Sequence, residues 1–99
     1  MAFKIIVSED VLNTLDSIVF YVEEKWSKTV ATNFLIRFYE KVDTIALNPT
    51  RSRKTSKYSS IRKVLITKHN MLYYEVFDDR IELLQIFDTR QDPTKNKFD

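Results

Sequence analysis

Glycine and cysteine are both missing from this 99-residue chain, and histidine occurs once. Without glycine there is no phosphate-cradling glycine loop and no dinucleotide fingerprint, because both use backbone positions that only glycine fills easily. Turns must be made by Asn and Asp instead, and Asn48, Asn70 and Asp78-Asp79 stand where the pattern needs them. Without cysteine there is no disulfide, thiolate metal site or cysteine nucleophile, and a reducing, cytoplasmic setting fits. One histidine cannot make a histidine-rich metal site within a single chain, so no metal and no cofactor are expected. No apolar run reaches the length of a membrane span, and no secretory leader pattern opens the chain. An excess of one charge is lacking too. Sixteen Lys+Arg against 14 Asp+Glu leave +2, too balanced to argue for nucleic acid by itself.

What is present suffices for one core: 43% hydrophobic and 13% aromatic residues exclude disorder and point to one domain over residues 1–99. The charge that exists is unevenly spread. From Arg51 to Lys68 there are seven Lys/Arg residues and no Asp or Glu, which gives a local positive potential.

Phe3–Val7 is a short β-rich run. Ser8 follows as a helix N-cap with Glu9 and Asp10 in the first turn, where carboxylates favour the positive end of the helix dipole. Val11, Leu15, Ile18 and Val22 recur at helical spacing, widened by Leu12, Val19 and Trp26, and predict a first helix over about 9–26. Trp26 reads as core at its end. Ser27 caps a second helix with the stripe Val30, Phe34, Phe38, Val42 and Ile45, stopped by Asn48-Pro49. Glu23-Glu24 and Glu40 are solvated faces. Residues 48–60 are polar and form the one long loop, a length at which loops are often functional.

Ile61–Thr67, Met71–Phe77 and Ile81–Phe87 are three strands on short turns, followed by a charged tail. The predicted fold is α+β, of order βααβββ, with an αα-hairpin packed on one face of a small, mostly antiparallel sheet. The strand from Ile61 is expected to run antiparallel to the first strand. Alternation groups Arg62 with Val64 and Ile66, Leu72 with Tyr74 and Val76, and Leu84 with Ile86, and sends one of Tyr73-Tyr74 to the core and the other to solvent. Arg62 and Arg90 fall at opposite ends of such a sheet unless the tail folds back.

The sequence resembles the RelE/ParE toxin superfamily of bacterial type II toxin–antitoxin modules, which includes plasmid stabilisation proteins. The likeness is carried by Leu15, Ile18, Tyr21 and Val22, by Leu47-x-Pro49, by Arg62-Lys63-Val64, by Leu72-x-Tyr74-x-Val76 and by Phe87-Asp88-x-Arg90-x-Asp92-Pro93. The resemblance implies a cytoplasmic toxin neutralised by a cognate antitoxin protein, as a homodimer or a toxin–antitoxin hetero-oligomer. In the ParE-like branch the target is DNA gyrase, and the form Phe-Asp-Thr-Arg-Gln-Asp-Pro is closer to that branch. In the RelE-like branch the toxin is an mRNA interferase working on the ribosome. An interaction domain that kept the fold and lost toxicity is a third reading.

The residues expected to bind the target are Arg53, Lys54, Lys57, Tyr58, Arg62 and Arg90. RNA cleavage would draw its cations from Lys54, Lys57, Arg62 and Arg90, with Tyr58 or Tyr73 stacking on a base. The C-terminal tyrosine or histidine of an active nuclease is not evident. Phe98 lies in that region and cannot move a proton, and His69 falls in a hairpin turn, away from loop and tail. Arg62 has a second reading as a tail anchor paired with Asp88 or Asp92, and the basic loop a second reading as solvated surface.

Overall fold

Two well-capped amphipathic helices cross one face of a twisted sheet. The computed structural model describes residues 3–99. The elements are β1 (Lys4–Val7), α1 (Glu9–Lys25), α2 (Lys28–Leu47), β2 (Arg53–Lys54), β3 (Ile61–Thr67), β4 (Asn70–Val76) and β5 (Arg80–Asp88), then a 3-10 turn at Pro93–Lys95. Both serine caps form as expected: Ser8 Oγ accepts from Val11 N at 3.1 Å and Ser27 Oγ from Val30 N at 3.2 Å. The predicted βααβββ order holds. It gains the two-residue strand β2, which lies in the predicted loop because Arg-Lys in a polar stretch carries no strand pattern.

The sheet order is β1-β5-β4-β3-β2, and β1 pairs in parallel with β5 while the other three neighbours are antiparallel. β1 is therefore parallel to β3, not antiparallel as the sequence suggested. The αα-hairpin does bring the chain back, but β1 is placed beside the last strand instead of the next one. Ser8 locks this corner, donating from its amide to Leu83 O at 3.1 Å and from its hydroxyl to Leu84 O at 3.1 Å.

The main core lies between helices and sheet. Val11 and Leu15 from α1 and Phe34, Phe38 and Ile45 from α2 meet Ile66, Leu72, Tyr74, Ile81, Leu83 and Ile86. A second cluster of Ile61, Tyr73 and Phe87 covers the opposite face, with Met71, Leu84 and Phe98 packed on it. Two expectations fail here. Both Tyr73 and Tyr74 are buried, because the tail returns over Tyr73. Leu84 and Ile86 lie in different clusters, because the register shifts between Tyr73↔Gln85 and Tyr74↔Leu83 and leaves Leu84 as an extra residue.

Candidate functional site

The basic stretch folds into an edge. β2 pairs antiparallel with β3, setting Arg53 opposite Lys63 and Lys54 opposite Arg62. Directly opposed residues share a face. Arg53 and Lys63 therefore point to the tail-covered side, and Lys54 and Arg62 to the side of the helices. Arg53, Lys54, Lys57 and Tyr58 are exposed. Thr55 makes the bend between them. It is buried, its amide donates to Ile61 O at 2.9 Å, and its hydroxyl donates to Tyr58 O at 2.9 Å.

Arg62 is half-buried and donates from Nη1 to Ser52 O at 2.6 Å. Tyr74 donates from its hydroxyl to Pro49 O at 2.9 Å, and burial pushes its pKa up. Together they pin the start of the loop to the sheet. Arg62 thus has a structural task, but not with Asp88 or Asp92 as the sequence suggested. It holds the backbone of the segment that presents Arg53 and Lys54.

Arg90 is elsewhere. β3 and β5 run parallel, with Arg62↔Tyr74↔Leu83 at one end and Asn70↔Asp88 at the other, so the two arginines do not form one cluster. Arg90 grips Asp88 in a bidentate pair, Nε to Oδ1 at 3.0 Å and Nη2 to Oδ2 at 2.9 Å. These bonds hold the Asp88 carboxyl below its ordinary range. His69 is beside this pair, not away from the tail: its carbonyl accepts from Thr89 N at 3.0 Å.

Arg90, Asp88 and His69 border an open groove of about 980 Å³ between α1, α2 and the β3–β4 turn. Its other wall carries Tyr21, Trp26, Val30 and Arg37. Trp26 is 73% exposed, so it is not core, contrary to the reading from its helical spacing. It sits at the helix C-cap and lines the groove.

The tail supplies residues that sequence reasoning missed. Asp99 accepts from Lys63 Nζ at 2.8 Å, Tyr73 Oη at 2.8 Å and Ser56 N at 2.9 Å. Asn96 Nδ2 donates to Tyr73 Oη at 2.6 Å. Burial drives the Asp99 carboxyl up, but the bonds from Lys63, Ser56 and Tyr73 outweigh it and bring it to about 2. Burial, assisted by the Asp99 charge against the opposing bond from Asn96, pushes Tyr73 up to about 12. The signal available beforehand was the seven-cation stretch without a carboxylate, which leaves room for a counterion from a distant acidic residue.

Among the described residues, no three or more His, Asp or Glu side chains gather to hold a metal ion, and no helix is long and apolar enough to cross a membrane. A profile of the ParE toxin of the type II toxin–antitoxin system parDE matches residues 5–93. The chain belongs to the ParE toxin family. Membership of this family of type II toxin–antitoxin systems implies an antitoxin partner. Solved structures share the fold at low identity. The chromosomal ParDE system of P. aeruginosa includes a chain with a TM-score of 0.74 and 13% identity, over 88% of this chain and 96% of that one. The YoeB dimer of Staphylococcus aureus gives 0.63 and 13%, over 92% and 100%. A conserved hypothetical protein of Helicobacter pylori gives 0.56 and 18%, over 92% and 98%. No curated protein matches the sequence.

Proposed function

We propose that this ParE-family toxin arrests growth by binding a macromolecular target in the cytoplasm, DNA gyrase first among them, without cutting RNA. One observation carries the reading: among the described residues, no histidine stands beside the exposed cations, and the tyrosines packed behind them are committed elsewhere. Cleavage through a 2′-hydroxyl needs a base and an acid close to the phosphate. Of the tyrosines near the edge, Tyr73 is held at about 12, Tyr74 is spent on Pro49 O, and the exposed Tyr58 is left for contact. Phe98 has no proton to give, and His69 lies at the far end of β3. Arg53, Lys54, Lys57 and Tyr58 are left as a contact surface, with Arg62 positioning it. The groove beside Trp26 is the docking place for an antitoxin segment that folds on binding, since it offers apolar surface with polar groups at its rim.

The test is purified toxin in two assays. Inhibition of gyrase supercoiling, relieved by the antitoxin and lost in an Arg53→Ala/Lys54→Ala/Lys57→Ala variant that keeps its circular dichroism spectrum, supports the reading. Ribosome-dependent cleavage of mRNA with gyrase unaffected overturns it in favour of the interferase alternative. Inactivity in both, with no growth arrest on induction, leaves the interaction domain.

A further inference from the structure

The tip of the helical hairpin and the groove beside it complement each other, yet cannot meet within one chain. Trp26 is largely exposed and stands at one end of the groove instead of filling it. Tyr21 and Val30 are exposed as well, and they carry the apolar surface inward to Ile18, Val22 and Phe34. Two residues before Trp26, Glu24 is exposed and in no ion pair among the described residues. It shares a helix face with Tyr21 and Ser17, one and two turns back, which line the groove. Lys25, its neighbour, is in the last turn of α1, where a cation answers the negative end of the helix.

Arg37 lines the groove farther along α2. It is exposed and in no ion pair among the described residues. Asp88 and Arg90, also on the rim, are taken up by each other, so Arg37 is the uncommitted charge there. At 1.5 Å per residue it lies about 14 Å along α2 from Lys28, too far for Glu24 of the same chain to reach. A two-fold axis through the middle of the groove brings the tip of one copy to the Arg37 end of the other, and does so twice. The outer cleft between the helices offers no such match. It is lined by Leu12, Phe20, Leu35 and Tyr39, and its charges are Asp16 and Glu23 with no cation. Two copies meeting there would set acid against acid.

We propose that the free toxin pairs with a second copy of itself through this groove, each copy seating Trp26 in the other's groove and Glu24 against the other's Arg37. Burying two tryptophans, two tyrosines and two ion pairs puts the interface at the small end of specific ones, roughly 1,200 Å² in total, so the dimer is weak and reversible. It hides the groove from any other ligand. Dimer and antitoxin complex therefore exclude each other, and surplus toxin masks its own docking surface. That exclusion rests on the groove being the antitoxin's place, whereas the dimer itself does not.

The experiment is analytical ultracentrifugation of the purified full chain from about 1 to about 200 μM, a range that spans micromolar association. Wild type should show a monomer–dimer equilibrium with a dissociation constant on the order of 10 μM. Trp26→Ser, Glu24→Arg and Arg37→Glu should each weaken it at least tenfold, and Phe20→Ser, on the outer face of the same hairpin, should leave it unchanged. These side chains are all exposed, and circular dichroism checks that each variant folds. The deciding sample is an equimolar mixture of Glu24→Arg and Arg37→Glu. Each alone sets like charges together, whereas a mixed pair joins opposite charges at both contacts, so the mixture should dimerise as wild type does. A monomer throughout the range, a dimer indifferent to Trp26 or lost in Phe20→Ser, or a mixture that stays monomeric overturns the proposal. Antitoxin is then added to the wild-type dimer and should dissociate it. Antitoxin that joins the intact dimer would remove the groove as its docking place and leave the dimer standing.

Discussion

Neutralising Asp99 should weaken the fold in a way that pH can erase. The carboxyl is held at about 2 against an ordinary 3.8, a gap that corresponds to about 2 kcal/mol. Both side chains of its pair with Lys63 are 21% exposed, so water takes a share and about 1–2 kcal/mol remains at pH 7. Because the group's pKa is depressed in the fold, its contribution is complete above about pH 4–5 and is lost as pH falls through about 2. Asp99→Asn should therefore lower stability to urea by about 1–2 kcal/mol at pH 7, with a melting point lower by about 5–10 °C. The difference between the two proteins should hold down to about pH 5, narrow below pH 4 and nearly close at pH 2. Asp88 and Asp92 are also depressed, but they are common to both proteins and cancel. Hydrogen exchange at the Ser56 amide, which donates to Asp99, should quicken in the variant even where global unfolding does not change. A gap that stays constant to pH 2, or no gap at pH 7, would refute the reasoning.

Tyr74→Phe leaves the Pro49 carbonyl without its buried donor and should cost about 1–2 kcal/mol in urea, with faster exchange along residues 51–54. Ser8→Ala removes both the cap on α1 and the bond to Leu84 O, and should cost about 1–2 kcal/mol by the same measurement. Trp26→Ala should change stability by less than about 0.5 kcal/mol, because the side chain is exposed, while weakening antitoxin binding at least tenfold by calorimetry.

Much of the fold is written locally. Ser8 and Ser27 open helices because each supplies an acceptor to an orphan amide, and this needs no knowledge of the rest of the chain. The three long strands are equally plain in their alternation. Pairing β1 with β5 is not local, because nothing in Lys4–Val7 names its partner 76 positions away in register. The bulge at Leu84 misled for a related reason: alternation assigns faces only while the register is unbroken. At the site, Arg53, Lys54, Lys57 and Tyr58 were legible as a cluster because they are neighbours in the chain. Lys63, Ser56, Tyr73 and Asp99 were not, because they meet only when the tail has crossed the sheet. Trp26 was misplaced because helical spacing gives the direction of a side chain but not whether another element covers it.

The pairing of the first strand with the last also sets the order in which this protein can come into being. During synthesis β1 and α1 emerge early, yet the strand between β1 and β4 is residues 80–88. Until it arrives, Ser8 has neither of its carbonyl partners and the helices lack Ile81, Leu83 and Ile86 to pack against. Contacts of such sequence separation form late, after the loop entropy has been overcome. A growing chain that has not yet reached residues 80–88 is therefore an unclosed sheet with an exposed helix pair.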